Sequence, residues 1–147
     1  MEKLPLIDTN GTDPFLHPTN AINRLVNEWR EHGKIIIAYD FDDTVYDYHK
    51  RGSSYDQVIS LLQRCEAYGA YFIVSTCCSE DKYDFIKDYL ESNGIPYDAI
   101  NENAPFVPFT GRKIYCNILL DDRAGLLTSY VTLDSALKIL ESERVIL

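Results

Sequence analysis

Acidic or hydroxyl side chains stand directly after three apolar runs of the sequence. If each run is a strand of one parallel sheet, the side chains that follow the strands meet at the same edge of the sheet. Carboxylates gathered there would repel one another and resist ionisation, and a divalent cation relieves that conflict. Oxygen ligands without a nearby histidine favour magnesium over zinc. The residues predicted to meet at this edge are Asp40, Asp42, Ser75, Thr76, Asp121 and Asp122.

The spacing of the first two acids favours phosphoryl transfer. Asp40 and Asp42 are two residues apart, so an extended backbone places both side chains on one side. One carboxylate can then attack phosphorus while the other handles protons, and an aspartyl phosphate divides one difficult displacement into two easier ones. A hydroxyl of Ser75 or Thr76 can donate to the phosphoryl oxygens, and Lys113 is the lysine best placed to offset their remaining charge. We therefore predict a magnesium-dependent phosphatase whose nucleophile is Asp40.

Hydrophobic periodicity divides the chain into alternating helices and strands. The β-branched run at residues 34–39 has no polar alternation, which is typical of a strand buried on both faces. Thr19 and Asn20 are predicted to cap a first helix that ends at Gly33. The other predicted elements are a helix over 55–68, a strand over 71–74, a helix from Ser79 to Asn93, a short strand over 95–100, a loop over 101–113, a strand over 114–120 and a helix over 133–140.

This alternation predicts the fold class. Strands separated by helices favour right-handed crossovers and a three-layer α/β sandwich around a central parallel, Rossmann-like sheet. Three prolines and an Asn-Gly pair predict that residues 1–18 form an irregular N-terminal arm. Residues 19–147 are predicted to form a single catalytic domain.

Composition limits the classes of protein that the chain can belong to. The apolar run at residues 35–39 is far shorter than the roughly 20 residues of a membrane helix, and the first residues lack the pattern of a signal peptide. We therefore expect a soluble, cytoplasmic protein whose four cysteines are reduced thiols. The formal charge of −9 argues against an extended nucleic-acid-binding surface, but it does not exclude the end of a nucleic acid as a substrate.

Four motifs of the sequence follow one another in a recognisable order. An apolar strand ending in DxDxT covers residues 35–45, and an apolar strand ending in serine covers residues 72–75. Lys113 then precedes an apolar strand that ends in paired acids at residues 118–122. The sequence in this region resembles the haloacid dehalogenase (HAD) superfamily of phosphotransferases. The ordered set, which spans residues 34–124, is more specific than DxDxT alone.

The resemblance implies a role for each matched residue. It implies that Asp40 is the nucleophile and a metal ligand, and that Asp42 is the general acid/base with its backbone carbonyl on the metal. It implies that Thr44 braces the loop, that Ser75 binds phosphate and that Lys113 steadies the aspartyl phosphate. Asp121 and Asp122 would complete the Mg²⁺ site. Thr76 is the alternative to Ser75 for the phosphate, and Lys82 and Lys87 are alternatives to Lys113.

The chain departs from the family pattern at one position. Asp43 stands between Asp42 and Thr44, where the family often has glycine. We expect the Asp43 side chain to face solvent rather than to support the site.

Cap domains, which select substrates in this family, have no room in this sequence. Only about thirty residues separate Thr44 from Ser75, and fewer than forty separate Ser75 from Lys113. The resemblance therefore implies a capless member whose open site is covered at most by a flap, residues 45–54. Capless relatives often act on large substrates or cover the site by assembling, so a phosphorylated macromolecule and a homo-oligomer remain alternatives to a small phosphate ester. The cationic run of His49, Lys50 and Arg51 in the flap either meets an anionic ligand or is simply solvated.

Two rival interpretations belong to other classes. A receiver domain of phosphorelay signalling also combines a phospho-accepting aspartate, magnesium, a hydroxyl and a lysine. Its acidic pair comes on the first strand and its lysine comes last, which is not the order found here. A HAD-like binding or regulatory protein without turnover is the other rival, and the intact set of acids argues against it.

Overall fold

A computed structural model describes residues 2–145 of the chain. Four helices and four strands alternate over most of its length, with two short 3₁₀ turns at Pro14–Leu16 and Glu80–Lys82. No helix within this range is long and apolar enough to cross a membrane. The helices are α1 (Pro18–His32), α2 (Asp56–Glu66), α3 (Tyr83–Ser92) and α4 (Leu126–Val145), and the strands are β1 (Ile36–Asp40), β2 (Tyr71–Ser75), β3 (Ala99–Ile100) and β4 (Ile118–Leu120).

The four strands form one sheet in the order β3-β2-β1-β4, and all neighbours are parallel. In the register of β1 and β2, Asp40 lies opposite Ser75. In the register of β1 and β4, Tyr39 lies opposite Leu120, so the chain leaves β4 at Asp121 one step beyond. The predicted α/β architecture with a parallel sheet is confirmed, and three strand ends meet at one edge.

The two faces of the sheet are covered differently. Ile37 and Tyr39 of β1 belong to a core that includes buried residues of all four helices. On the opposite face, Ile36, Ala38 and Ile73 pack against residues of the segment 104–116. The third layer of the sandwich is therefore an irregular segment and not a layer of helices. Pro105, Pro108 and Gly111 account for this difference, because proline and glycine both oppose helix formation.

Several element boundaries differ from the prediction. β4 covers three residues rather than the predicted seven, because the strand begins only after Asn117. At that position the Asn117 side chain, and not a backbone carbonyl, accepts the Ile36 amide at 2.6 Å. The strand predicted over 95–100 contains only Ala99–Ile100, since the Asp98 carboxylate takes the Phe72 amide at 2.8 Å. The last helix is longer than predicted, and α2 and α3 are shorter.

Asparagine side chains dock the N-terminal arm along α1. The helix begins at Pro18, and Asn20, predicted to cap it, is instead fully buried in its first turn. The Asn20 amide donates to the Ile7 carbonyl at 3.1 Å, and Asn27 exchanges two hydrogen bonds with the backbone of Leu4 at 2.7 and 2.9 Å. Side chains of the helix that follows therefore satisfy the backbone polar groups of Leu4 and Ile7 in this arm.

We predict that Gly69→Ala destabilises the protein markedly. Gly69, between α2 and β2, has a φ of 82°, and a Cβ there would lie 2.6 Å from the Gly33 carbonyl oxygen. We expect a loss of about 3 kcal/mol in unfolding free energy, measured by urea denaturation. Gly11→Ala is the matched control, because Gly11 has a φ of 80° with no heavy atom within 4 Å. Its loss should be roughly 1 kcal/mol, and equal losses would contradict a steric role for Gly69.

Candidate active site

Three carboxylates gather where β1 and β4 end. Asp40, Asp121 and Asp122 each offer one oxygen, and these three oxygens lie within 4.8 Å of one another. Asp40 and Asp121 are half-buried, while Asp122 is exposed. The backbone amide of Arg123 donates to Oδ1 of Asp121 at 2.9 Å, which fixes the turn that carries the pair. The structure thus brings acids 81 and 82 residues apart in the sequence into one cluster.

The Thr44 hydroxyl joins the loop that follows β1 to the turn that follows β4. Thr44 is fully buried, and its hydroxyl accepts the backbone amide of Asp122 at 3.1 Å. The same oxygen lies 3.5 Å from Oδ2 of Asp40 and 3.3 Å from Oδ1 of Asp122, so its one proton can be donated to either carboxylate. A buried hydroxyl with three polar neighbours is an anchor that keeps the two loops in register.

Burial and neighbouring carboxylates raise the pKa of Asp40 and of Asp42. The pKa of Asp40 is raised to about 7, first by burial, then by a hydrogen bond with Asp122, and then by the charges of Asp121, Asp122 and Asp42. The pKa of Asp42 is raised by burial and by the charges of Asp43 and Asp122, and a smaller effect of His49 opposes the rise. A positive charge at this edge would favour the ionised forms of Asp40 and Asp42.

We predict that the metal-free protein loses stability as pH rises from 5 to 8. Because the folded pKa of Asp40, about 7, lies above its ordinary value of 3.8, the folded state binds more protons than the unfolded state in that window. The loss should be about 1 kcal/mol after allowance for solvent screening of this half-exposed group. Urea unfolding in EDTA at the two pH values measures it.

Asp40→Asn should remove most of this pH dependence, because an amide does not titrate. Asp88→Asn, the same change at an exposed residue of α3, should retain it. An equal pH dependence in wild type and Asp40→Asn would contradict the role of Asp40.

The hydroxyls at the end of β2 differ in their surroundings. The Thr76 hydroxyl accepts the Cys78 amide at 3.1 Å, and the Thr76 amide donates to Oδ1 of Asn101 at 2.9 Å. Asn101 also donates to the Thr76 carbonyl at 2.8 Å, so β2 and β3 are tied together just beyond their ends. The Ser75 hydroxyl, opposite Asp40, makes no hydrogen bond with any of residues 2–145. Sequence reasoning missed Asn101, although an asparagine directly after a short strand is a signal for such a tie.

Lys113 lies in the irregular segment before β4, and its side chain is exposed. No hydrogen bond or ion pair within the described part of the chain joins it to the acids. Its charge acts on Cys116, where it partly offsets the burial that raises the pKa of that thiol. The assignment of Lys113 to the site stays a prediction, and the same holds for its alternatives Lys82 and Lys87.

Asp43 does not face solvent as expected from the sequence. Its side chain is 19% exposed, and its Oδ2 lies 2.6 Å from Nδ1 of His49. The Tyr55 hydroxyl donates to the other oxygen at 3.4 Å. Asp43 has a φ of 60°, a left-handed conformation that explains why glycine suits this position. Asp43 therefore connects the loop of Asp42 to His49 within the flap and to Tyr55 directly after it.

Comparisons with known proteins agree with the fold and go no further. No family model matches the sequence, and no curated protein matches it. A solved structure of a conserved protein from Bacteroides thetaiotaomicron is similar to this chain with a TM-score of 0.52 and 22% sequence identity. The match covers 61% of this chain and 77% of that protein. At this identity the likeness shows a shared α/β fold alone. The class defined by fold and site is an α/β protein with an acidic cluster at the carboxyl edge of a parallel sheet.

Proposed function

We propose that the protein is a capless, magnesium-dependent phosphatase of the HAD superfamily with Asp40 as its nucleophile. The observation that carries the proposal is the meeting of three sequence motifs at one edge of the sheet. Asp40 lies opposite Ser75 in the register of β1 and β2, and it shares the acidic cluster with Asp121 and Asp122. A chance set of loop acids would have no reason to combine this register with this cluster.

The residues of the cluster fit a magnesium ion. All three candidate ligand atoms are carboxylate oxygens, which is the ligand type that Mg²⁺ prefers. The raised pKa of Asp40, caused by burial and by neighbouring acids, is what a cation-binding site shows when no cation balances its charges. Asp40, Asp121 and Asp122 would hold the ion, with the backbone carbonyl of Asp42 as the fourth predicted contact. When bound, Mg²⁺ would neutralise phosphoryl oxygens and favour ionised Asp40.

The protein's own side chains carry out the proposed reaction in two steps. In the first, a carboxylate oxygen of Asp40 attacks phosphorus, the bond from phosphorus to the leaving-group oxygen breaks, and Asp42 gives that oxygen its proton. In the second, Asp42 takes a proton from water, the water oxygen attacks phosphorus, and the bond to Asp40 breaks to release phosphate. The raised pKa of Asp42, which burial causes, suits a group that must hold and return one proton.

Ser75 is the better candidate for the phosphate of the two hydroxyls after β2. Its hydroxyl is unengaged within residues 2–145, whereas the Thr76 hydroxyl already accepts the Cys78 amide. The bond from the Cys78 amide holds the Thr76 oxygen in place in the loop, whereas the Ser75 hydroxyl can rotate towards a phosphoryl oxygen without losing an existing hydrogen bond. Lys113 supplies the remaining positive charge in the proposal.

The described elements leave the proposed site open. Between Thr44 and Ser75 the chain forms only the flap, α2 and β2, and between Ser75 and Asp121 it forms α3, two short strands and an irregular segment. Neither interval of the described chain contains a separate folded unit. The proposed substrate class is therefore broad, and it includes nucleotides, other small phosphate esters and phosphorylated macromolecules.

Phosphate release from 4-nitrophenyl phosphate tests the proposal. We expect turnover with MgCl₂, its loss in EDTA and its return when Mg²⁺ is restored. If Mg²⁺ binds but neither this ester nor a panel of nucleotides and sugar phosphates is hydrolysed, the rival interpretation as a silent binding protein is favoured.

A further inference from the structure

We infer that the flap recognises a leaving group that carries a second anionic group, most directly a second phosphate. The inference rests on the proposed phosphatase function and names the substrate class of that site. It assigns recognition to the cationic run of His49, Lys50 and Arg51, which is the one place in the sequence with three consecutive basic side chains.

The base of the flap is fixed to the sheet and to α3. The backbone of Tyr46 pairs with Asp42 in an isolated bridge, and the Tyr46 ring stacks on Phe41 with 4.9 Å between ring centroids. Tyr89 and Phe85 of α3 meet the Tyr46 ring edge-on, with 4.8 and 5.5 Å between ring centroids. The flap therefore starts from a packed aromatic cluster, and its direction is set by the same loop that carries Asp42.

The tip of the flap returns to that catalytic loop. Nδ1 of His49 lies 2.6 Å from the carboxylate of Asp43, the residue after Asp42. Because Asp43 directly follows Asp42 in the chain, this contact places the start of the cationic run next to the loop of the proposed acid/base. Because Nδ1 is engaged by Asp43, the second ring nitrogen of His49 is the atom left to meet a ligand.

The backbone that carries the other two cations has a defined shape. The Asp47 carboxylate accepts the Arg51 amide at 3.0 Å and the Gly52 amide at 2.9 Å, and the Lys50 amide donates to the Asp47 carbonyl at 3.1 Å. Lys50 has a φ of 53°, which completes the tight turn. A turn held in this way presents its side chains without a further cost for ordering the backbone on binding.

The charges on this turn lack protein partners. Several basic side chains elsewhere are paired with acids, among them Arg30, Arg64 and Lys138. Lys50 and Arg51 are exposed and form no ion pair with any of residues 2–145. In a chain of net charge −9, two unpaired cations on the flap, directly after the His49 that contacts Asp43, would complement a substrate that is more anionic than a simple monoester.

Two aliphatic esters of equal length test this inference, because the chain between their ends is flexible and uncharged. We expect kcat/KM for 1,6-hexanediol bisphosphate to exceed that for hexyl phosphate by about tenfold, since two exposed ion pairs together contribute roughly one factor of ten. Two equivalent ester groups alone would give a ratio of about two on statistical grounds. The ratio should fall as salt is raised, because exposed charges are screened.

The Lys50→Gln/Arg51→Gln variant should bring the ratio down towards the statistical value. Lys3→Gln/Arg24→Gln is the control, because it removes the same charge from an exposed lysine and an exposed arginine elsewhere, and its ratio should equal that of the wild type. A wild-type ratio near the statistical value, or a ratio that Lys50→Gln/Arg51→Gln leaves intact, would overturn the inference. Hydrolysis of 4-nitrophenyl phosphate without hydrolysis of 1,6-hexanediol bisphosphate would also overturn the inference. Failure to hydrolyse 4-nitrophenyl phosphate as well as both aliphatic esters in the presence of Mg²⁺ would instead contradict the proposed function.

Discussion

Replacing Asp40 with asparagine should lower kcat for phosphate release by at least about a thousandfold, because the amide cannot form the acyl phosphate. The position of Asp40 and the size of the new side chain separate the loss of the nucleophile from any change in packing. Asp40 lies at the end of β1 opposite Ser75, and the substitution changes one oxygen to nitrogen without changing the volume of the side chain. Steady-state phosphate release with 4-nitrophenyl phosphate at saturating Mg²⁺ measures the loss.

The control for this prediction must separate chemistry from folding. Asp88→Asn makes the same chemical change on the exposed side of α3 and should leave kcat within about twofold of the wild type. Asp40→Asn should also be no less stable than the wild type in EDTA at pH 8, since it removes a carboxylate whose pKa is raised to about 7 by burial and by neighbouring acids. A folded Asp40→Asn variant with full turnover would contradict the assignment of the nucleophile.

Removing the other two acids should abolish the response to magnesium. In the wild type at pH 8, Mg²⁺ at a hundred times its dissociation constant should stabilise the fold by about 2.7 kcal/mol, because the ion binds the folded state only. Asp121→Asn/Asp122→Asn leaves the cluster with one of its three carboxylates. We expect this variant to show no Mg²⁺-dependent rise in its thermal unfolding midpoint, together with a loss of turnover of about a hundredfold or more.

Asp84→Asn/Asp88→Asn provides a control of equal charge, because both acids are exposed on α3. It should keep the Mg²⁺-dependent rise in the unfolding midpoint. If Asp121→Asn/Asp122→Asn kept that rise as well, magnesium would bind elsewhere and the acidic edge would not be its site.

The strands and the site edge were predictable because apolar runs specify buried parallel strands. The run at residues 34–39 and the run at 71–74 each became a strand of the sheet, and the residues that follow them met at one edge. Parallel topology alone makes that meeting necessary, whichever helices cover the sheet. The identity of the acidic cluster therefore follows from local sequence patterns combined with one rule of sheet geometry.

The features that the sequence did not reveal depend on side chains that replace backbone partners. Asn117 shortens β4 and Asn20 docks the arm, and neither is distinguishable by periodicity from an ordinary polar residue. Asp43 was expected to face solvent, but His49, six residues further along the chain, contacts its carboxylate. Residues 104–116 cover the second face of the sheet. The prolines of this segment predicted a loop, but they gave no sign that the loop packs against the sheet.

The location of Lys113 marks the limit of sequence reasoning in the site itself. Its motif is defined by order along the chain and not by the structure of the segment that carries it. Because that segment is irregular, no helical or strand periodicity states which way the side chain points. The acids, by contrast, end strands whose register the sheet fixes.

Chemical trapping of the phosphorylated residue tests the central claim most directly. The protein is mixed with 4-nitrophenyl phosphate and Mg²⁺, quenched in acid and reduced with borohydride, which converts an aspartyl phosphate to homoserine. Peptide mass spectrometry should find homoserine at position 40 when both substrate and Mg²⁺ are present, and should find none when either is omitted. Homoserine at Asp42, Asp121 or Asp122 in its place, or sustained turnover with Asp40 unmodified, would contradict the account.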